Sequence, residues 1–312
     1  MAFLNAKEAM KLLILTQKVD KNDPVLGFFH GWLKEFAHKF EGIIVICLSE
    51  GERSLPSNVK VLSLGKEEGA SRVKYLWRFY KYIWQERKDY DAVFVHMNQE
   101  YVLLGWEWWW LMRKKIYLWR NHAKGNILTR LAALFSAKVF YTSPQSYTAR
   151  FKKAVQMPVG VDTDYFKPDP SVERIPNSIL FLGRISPVKK VLEFVEWFNT
   201  LDSKFSATVA GAALPKDKQY EVLVKSIAHD RIRFIGAINQ EGARRLYQTH
   251  ELYVNKTPAG SFDKTIFEAL ACGMKLKVDN PDAQNIKIEE HSLKKLALKL
   301  RASMMWWWRL EC

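Results

Sequence analysis

The chain has 312 residues, of which 48% are hydrophobic and 26% charged, a composition that excludes global disorder and fits two domains better than one. Its net charge of +15 favours a phosphate-bearing ligand, nucleic acid or an anionic membrane as partner. The three cysteines, Cys47, Cys272 and Cys312, form neither a disulfide framework nor a Cys-x-x-Cys metal pair, so we expect a cytoplasmic protein. No apolar run reaches the roughly 18 residues that a membrane span needs, and the short apolar stretch before Gln17 predicts a buried strand rather than a signal peptide.

Strand-like and helix-like segments alternate along the whole chain. In the first half, apolar runs predict strands at Leu12–Leu15, Ile43–Leu48, Ala92–His96, Ile116–Trp119 and Lys138–Thr142. In the second half, they predict strands at Ile179–Leu182, Ala207–Ala210, Ile232–Ile235, Leu252–Asn255 and Lys275–Asp279. Helical periodicity separates them, for example in Gly31–Phe40 and Arg72–Arg87. Two such series predict an α/β fold with two doubly wound parallel sheets, and a proline-rich segment near the middle places the domains at residues 1–165 and 166–312.

A strand-to-helix turn in the second half carries two cations. The predicted strand Ile179–Leu182 is followed by Gly183, Arg184 and Lys189 before the next helix begins. Such a turn directs backbone N–H groups and the positive end of a helix to one place, while arginine offers a planar fork and lysine a point charge to phosphate oxygens. The turn therefore predicts a diphosphate site, and two solvated loop cations are an equally good interpretation.

The last strand-to-helix connection, Lys256–Thr265, contains glycine, serine and threonine and leads into a helix that Gly273 is suited to end. A loop of this composition beside a helix start can hold an anion. Glu268 lies in the first turns of that helix, where its carboxylate could accept two ribose hydroxyls or simply favour the positive helix end. Gly211 and Gly236 follow two further strands and would let the backbone approach a flat nucleobase, although strand ends often carry glycine.

Three ordered segments carry a family resemblance. Residues Met157–Phe166 read MPVGVDTDYF, Gly183–Lys189 read GRISPVK, and Phe262–Gly273 read FDKTIFEALACG. They resemble, in that order, the motifs P-N-G-V-D-x-x-x-F, GR-L-S-P-x-K and F-G-x-x-x-x-E-A-M-A-x-G of retaining glycosyltransferase family 4. The likeness covers most of residues 11–280. It implies the GT-B fold, in which two Rossmann-like domains face each other across a cleft.

The resemblance also implies roles for individual residues at a nucleotide-sugar donor site. Those implied to bind the donor diphosphate are Arg184, Lys189, the backbone near Thr265 and Ile266, and Gly27. Those implied to contact the ribose or the base are Glu268, Gly236 and Ile238, and those near the donor sugar are Ser261, Phe262 and Asp263. No metal or other cofactor is implied. The chain departs from the family at Gly260, where a glutamate is usual, so the role of that glutamate is absent or taken by Ser261 or Asp263. Because the chain ends soon after Glu268, we expect the closing helix of the family to be missing or abbreviated.

Polar residues near the ends of strands in the first half are candidates for catalysis and for contacts with the acceptor. His96 ends one predicted strand, and His122 follows the next. The resemblance assigns the active-site histidine to His122, whose ring would bond the donor sugar or phosphate and offset charge on the leaving diphosphate. An ordinary loop histidine is the alternative, more so for His96. Asp20 and Asp23 are candidate acceptor contacts, but we favour turn and helix-start roles for them.

Two aromatic segments have cations beside them. In Arg72–Lys88, one helical face is predicted to hold Val73, Leu76, Trp77, Tyr80, Ile83 and Trp84, and the opposite face Lys74, Arg78, Lys81 and Lys88. Such a helix either lies at a membrane interface or packs its apolar stripe on the sheet, and we favour the sheet slightly. Trp106–Trp110, followed by Arg113–Lys115, cannot all face one core, which favours a patch where tryptophan lies at headgroup level. No role is predicted for Trp306–Trp308.

The predicted function is an enzyme that transfers a sugar, with retention of configuration, from a nucleotide-diphosphate sugar to an acceptor hydroxyl. The acceptor would be a glycan or a lipid-linked, membrane-proximal glycan, as in polysaccharide biosynthesis. Arg184, Lys189 and helix N-termini would neutralise the leaving diphosphate without a metal. The alternative is a non-catalytic protein on a degenerate transferase scaffold that binds nucleic acid or membrane, which Gly260 favours. Nucleic acid lacks the support of an RNA-binding signature or zinc finger. We expect a cytoplasmic protein that is peripheral at the inner face of the membrane.

Overall fold

The computed structural model describes residues 10–259, 262–283 and 285–305. The predictions that concern Gly260, Ser261 and Trp306–Trp308 lie outside these residues. The chain forms two compact units: unit 1 comprises residues 1–142, 146–157 and 297–312, and unit 2 comprises residues 143–145 and 158–296. Sequence analysis placed the boundary between residues 165 and 166, whereas unit 2 begins its main segment at Pro158 and the chain returns to unit 1 at Ala297.

Unit 1 is built on a parallel sheet. Its strands in the described residues are β1 (Lys11–Val19), β2 (Gly42–Glu50), β3 (Val59–Ser63), β4 (Ala92–His96), β5 (Lys115–Trp119), β6 (Lys138–Tyr141) and β7 (Ala154–Gln156). Its helices before the C-terminal one are α1 (Gly27–Ala37), α2 (Arg72–Gln85), α3 (Gln99–Leu111) and α4 (Ile127–Phe135). The strand order is β3-β2-β1-β4-β5-β6-β7, so the order reverses between β1 and β4.

Three helices of unit 1 cover the same face of this sheet. Leu13 of the apolar strand β1 is fully buried in a cluster with Phe79 of α2, Trp109 of α3 and Ala132 of α4. The indole Nε1 of Trp109 donates to the hydroxyl of Tyr90 at 3.2 Å, which satisfies the polar atom of a fully buried ring. Helices α2, α3 and α4 therefore form one layer, anchored by a few large inward side chains.

Unit 2 is a second parallel sheet with helices. Its strands in the described residues are β8 (Ile175–Leu182), β9 (Ser206–Ala210), β10 (Ile232–Gly236), β11 (His250–Asn255) and β12 (Lys275–Val278). Its helices are α5 (Val191–Asn199), α6 (Lys218–Ser226), α7 (Gln240–Thr249) and α8 (Lys264–Ala271). The strand order β10-β9-β8-β11-β12 reverses between β8 and β11, whose pairing is parallel. The prediction of two doubly wound parallel sheets is thus confirmed.

A helix returns the chain to unit 1, so the closing helix is not missing, and whether it is abbreviated relative to the family stays a prediction. Helix α9 (Leu293–Met305) carries the chain from unit 2 back to unit 1. Its carbonyl groups at Met304 and Ser303 accept hydrogen bonds from Tyr117 Oη at 3.2 Å and Lys138 Nζ at 2.8 Å, and Leu300 is fully buried. The expectation rested on chain length alone, and a helix of 13 residues is long enough to make these contacts.

Candidate active site

The residues predicted to bind a diphosphate follow β8 and β11, the neighbouring strands at which the sheet order of unit 2 reverses. In open parallel sheets, ligands bind outside the carboxyl ends of the strands at such a point. Arg184 and Lys189 lie in the connection after β8, and Asp263 and Thr265 lie at the start of α8, after β11. The topology of unit 2 therefore brings both connections to one edge of its sheet.

Lys189 and Asp263 are joined directly across this edge. The Nζ of Lys189 donates to Oδ2 of Asp263, which also accepts from Nδ2 of Asn255 at 3.0 Å and from Oγ1 of Thr257 at 3.1 Å. Burial acts to raise the pKa of Asp263, but the Lys189 ammonium and the hydrogen bonds outweigh it and hold the pKa below its usual value. Lys189 is thus a cation fixed in position by a carboxylate counter-ion.

Unlike the ammonium group of Lys189, the guanidinium of Arg184 is not paired with another side chain of the described residues. Its side chain is exposed, and within the described part of the chain its guanidinium has no ion pair or hydrogen bond. The backbone on either side of it is held, because Gly183 N–H donates to Ala210 O at 2.9 Å and Ile185 N–H donates to Ala212 O at 3.2 Å. A fixed backbone with a free guanidinium suits an incoming anion, since no protein contact has to be broken.

The fixed connection depends on a close approach of two backbones. Gly211 has φ +144°, and a Cβ at this position would lie 1.9 Å from the carbonyl oxygen of Gly183. Gly236, at the end of β10, has φ +76° but open space around its Cβ position, and its carbonyl accepts from Gly211 N–H at 2.7 Å. Both glycines have a positive φ, but only Gly211 would also bring a Cβ into steric contact. Comparing substitutions at the two positions therefore isolates the effect of that contact.

We expect Gly211→Ala to lower the free energy of unfolding by about 3 kcal/mol, because a methyl group would overlap the Gly183 carbonyl and force the ends of β8 and β9 apart. The matched variant Gly236→Ala meets only the unfavourable left-handed conformation and should cost about 1 kcal/mol. Urea unfolding followed by circular dichroism measures both values. Equal losses in the two variants would contradict the close approach at Gly211.

The start of α8 is a connected polar network. Tyr253 Oη donates to Thr265 Oγ1 at 2.6 Å, and Asn255 Nδ2 reaches Tyr253 Oη at 3.2 Å. The backbone N–H of Ile266, which we predicted near phosphate, donates to Asp263 O at 3.1 Å and is therefore engaged within the protein. Asn255, Tyr253 and their hydrogen bonds were not singled out from the sequence, where only the position of Asn255 at a strand end could have drawn notice.

Glu268, predicted to hold a ribose, is almost fully buried on α8. It is 3% exposed, and its Oε2 accepts from Tyr247 Oη at 3.3 Å. Burial raises the pKa of Glu268, and the positive charge of Lys264, one helical turn earlier, opposes that rise. Burial in turn lowers the pKa of Lys264, whose Nζ donates to Gly160 O at 2.7 Å. The carboxylate thus has protein partners in this structure, and its contact with a ribose stays a prediction.

Helix α8 ends as the sequence indicated. Gly273 N–H donates to Leu270 O at 2.9 Å and Met274 N–H donates to Ala269 O at 3.1 Å, the paired bonds of a Schellman motif. Phe262 and Ile238, predicted near the sugar and the base, are half-buried against the apolar cluster of α8, with the Phe262 ring 5.1 Å from that of Phe267. Their predicted ligand contacts remain predictions.

In unit 1, His122 lies in an exposed loop after β5. Its Nδ1 is 3.0 Å from Lys124 N and 3.1 Å from Lys124 O, and its carbonyl accepts from Tyr147 N–H at 2.9 Å. When Nδ1 accepts from the Lys124 N–H, the proton is on Nε2, which is then a hydrogen-bond donor. The loop therefore orients the ring, and within the described part of the chain Nε2 makes no hydrogen bond that would compete with a ligand.

His96, and Asp23 of the first loop, contact neighbouring protein groups. His96 is buried, its ring stacks on Phe29 with centroids 4.3 Å apart, and its Nδ1 is 3.3 Å from Thr16 Oγ1. Asp23 Oδ1 accepts from Leu26 N–H at 2.7 Å, and its backbone carbonyl accepts from Gly27 N–H at 2.9 Å, where α1 begins. These contacts agree with the turn and helix-start interpretation of Asp23. Among the described residues, no group of three or more His, Cys, Asp or Glu side chains could hold a metal ion.

Unit 2 is similar in sequence to a known protein family. Residues 176–276 match the family model described as Glycosyl transferases group 1. The match lies within unit 2 and spans β8 to β12, including Arg184, Lys189, Asp263 and Glu268. The resemblance inferred from the sequence is therefore confirmed at the level of group 1 for residues 176–276, while the resemblance of Met157–Phe166 and the assignment to family 4 remain predictions. Comparison with the sequences of curated proteins gives no match.

Solved structures share the fold at low sequence identity. Anabaena Alr3699/HepE in complex with UDP and glucose is 17% identical, with a TM-score of 0.69 over 95% of this chain and 90% of that chain. Sucrose-phosphate synthase from Thermosynechococcus elongatus is 14% identical, with a TM-score of 0.67 over 95% and 89%. UDP-GlcNAc 2-epimerase from Methanocaldococcus jannaschii is 13% identical, with a TM-score of 0.56 over 95% and 99%. These likenesses show the GT-B fold, and the epimerase among them means that the fold alone does not decide the reaction.

Proposed function

We propose that the protein is a glycosyltransferase that uses a nucleotide-diphosphate sugar, with unit 2 holding the donor. The observation that carries this proposal is the Lys189–Asp263 pair at the edge where the sheet order reverses, with Arg184 in the same connection after β8 and exposed, without an ion pair or hydrogen bond of its guanidinium within the described residues. The family match over residues 176–276 supports the reaction class, and the UDP complexes of Anabaena Alr3699/HepE support uridine diphosphate as the first nucleotide to test.

The chemistry follows from the charges. Departure of the donor sugar leaves negative charge on the diphosphate, and fixed cations aimed at that charge stabilise the transition state more than the ground state. Lys189 is already oriented by Asp263, so little reorganisation is needed when phosphate oxygens approach. Asp263 is held by Asn255 and Thr257 as well, so its carboxylate stays in place while the remaining N–H donors of Lys189 bind phosphate oxygens. These cations would make a metal unnecessary.

The remaining features are proposals of finer detail. We propose retention of anomeric configuration, with His122 offering Nε2 to the donor sugar or phosphate. The acceptor would be a hydroxyl of a glycan or of a lipid-linked glycan at the membrane, and the protein would act from the cytoplasm. The described residues include no helix long and apolar enough to cross a bilayer.

Screening the protein against several nucleotide sugars, with UDP-glucose first and with glycan acceptors present, tests the proposal. We expect release of a nucleoside diphosphate that continues in the presence of EDTA, and a product whose anomeric configuration, read by NMR, equals that of the donor. A product of opposite configuration would overturn retention, and loss of activity in EDTA would overturn metal independence. No turnover with any donor, together with thermal stabilisation by oligonucleotides alone, would favour the nucleic-acid-binding alternative instead.

A further inference from the structure

The outer surface of helices α2, α3 and α4 in unit 1 is apolar and aromatic. We call it the aromatic layer, and its exposed members include Trp77 and Trp84 of α2, Trp108, Trp110 and Leu111 of α3, and Leu134 of α4. Trp110 is 75% exposed and Trp77 is 59% exposed. Every exposed tryptophan of the described residues lies in this layer. Monomeric soluble proteins rarely expose a contiguous apolar patch unless it meets a partner.

The layer is not needed to build the core. Helix α2 packs on the sheet through Phe79 and Ile83, which are 1% exposed, whereas Trp77 and Trp84 of the predicted apolar stripe point outward. The predicted apolar face is therefore wrong as the face that packs on the sheet, because Ile83 is the only one of its six residues that is buried. Helix α2 packs on the sheet through residues other than most of the predicted stripe, and it presents aromatic side chains to its surroundings.

Contacts between the helices make the layer continuous. Tyr80 Oη of α2 donates to Leu104 O of α3 at 2.9 Å, and the ring centroids of Trp84 and Trp108 are 5.8 Å apart. On the other side of α3, Trp106 stacks on Phe135 of α4, with centroids 4.1 Å apart and planes 5° from parallel. The exposed side chains thus belong to one surface rather than to three separate helices.

Cations are interleaved with these rings. Helix α2, with the sequence RVKYLWRFYKYIWQ, carries Arg and Lys residues and no acidic residue. Lys81 Nζ lies 4.9 Å from the centroid of Trp77, and the guanidinium carbon of Arg87 lies 4.2 Å from that of Trp84. Tryptophan beside lysine or arginine is the combination that fits the headgroup region of a bilayer with anionic lipids. A second copy of the chain docked through α2 would bring two positively charged helices together, which like-charge repulsion disfavours.

A hollow in the layer has the same mixed character. A cavity of about 420 Å³ at the end of α3 is lined by Trp106, Trp110, Lys114, Lys115, Leu134 and Phe135, among others. Its lining combines apolar side chains with two lysines, and the Nζ of Lys114 donates to the carbonyl of Tyr90, so the hollow has the same apolar and cationic character as the rest of the layer.

We propose that the aromatic layer is a membrane-docking surface, and that its partner is a bilayer containing anionic phospholipids. The layer lies wholly within unit 1, so docking does not depend on the donor site. Docking through this layer would bring the protein to the membrane-proximal acceptor of the proposed function. Vesicle binding and sugar transfer are measured separately, so failure of one does not contradict the other.

The test is co-sedimentation of the full chain with vesicles of phosphatidylcholine alone and of phosphatidylcholine mixed with phosphatidylglycerol. We expect binding to the mixed vesicles, weakened by salt. Because each cation near an anionic surface contributes about fivefold to partitioning, Lys74→Gln/Lys81→Gln should lower it by roughly 25-fold. Trp77→Ser/Trp110→Ser should lower it by about tenfold or more, since both rings lose burial in the interface.

Matched variants in unit 2 serve as controls. Lys204→Gln/Lys216→Gln removes the same charge from exposed positions, and Val222→Ser/Leu223→Ser removes exposed apolar side chains from α6. We expect both controls to bind vesicles as the parent does. Equal loss in the control and layer variants would overturn the proposal, as would a lipid-free dimer that Trp77→Ser/Trp110→Ser dissociates while vesicle binding is unchanged. Loss of all vesicle binding in inorganic phosphate, but not in sodium chloride of the same ionic strength, would also overturn it, because a simple anion site would then suffice.

Discussion

Lys189→Ala is expected to lower kcat/KM for sugar transfer by at least about 100-fold, because it removes a preorganised cation from the leaving diphosphate. The same change should weaken binding of a nucleoside diphosphate much more than that of the corresponding nucleoside. Steady-state kinetics and calorimetric titration measure the two effects. Lys190→Ala is the matched control, since Lys190 is exposed and immediately follows Lys189, and it should leave both values near those of the parent.

Folding and function have to be separated in this variant. Without Lys189, the buried carboxylate of Asp263 loses the cation that holds its pKa down, so its folded pKa rises and the variant becomes less stable as pH increases above the usual aspartate range. Lys189→Ala/Asp263→Asn removes that charge and should recover stability but not turnover. A Lys189→Ala enzyme as active as the parent would contradict the donor site.

Lys264→Met is expected to lower the free energy of unfolding by about 3 kcal/mol at neutral pH, because the Lys264 charge no longer opposes the rise in the pKa of the buried Glu268. The loss should shrink as pH falls towards 4.5, the ordinary pKa of glutamate, and should vanish below it, since Glu268 is then protonated in both the folded and the unfolded state. Chemical unfolding at several pH values measures the effect.

The double variant Lys264→Met/Glu268→Gln tests whether Lys264 stabilises the protein through its charge interaction with Glu268 or through another contact. Glutamine still accepts the hydrogen bond of Tyr247 and carries no charge, so most of the lost stability should return. Nucleotide binding should stay weak if the Glu268 carboxylate holds the ribose. Equal instability of the single and double variants would instead assign the contribution of Lys264 to its hydrogen bond with Gly160 O.

Strand positions could be predicted well because buried parallel strands are continuous apolar runs. The prediction Ala92–His96 coincides with β4, whereas β3 and β7 were not predicted. These two strands are short edge elements, VKVLS and AVQ, whose residues alternate or mix polar and apolar character. A segment of this kind is defined by its neighbour in the sheet rather than by its own pattern.

The residues of the candidate site could be named from the sequence, but their pairing could not. Lys189 and Asp263 are 74 positions apart, and their contact exists because β8 and β11 are neighbours. The same limit applies to Glu268, since only the fold shows that it is buried beside Tyr247. The buried face of helix α2 was predicted wrongly for a different reason. Tryptophan and tyrosine are so frequent in this helix that two of its faces look apolar in the sequence, and the face that packs on the sheet is the one with Phe79.

Calorimetric titration with UDP and UMP, for the parent chain and Lys189→Ala side by side, tests most directly whether the edge formed by β8 and β11 recognises a nucleoside diphosphate. We expect the parent to bind UDP more tightly than UMP, and the variant to lose that preference while binding UMP almost unchanged. Equal affinity of the parent for UDP and UMP, or the same preference in the variant, would contradict the account.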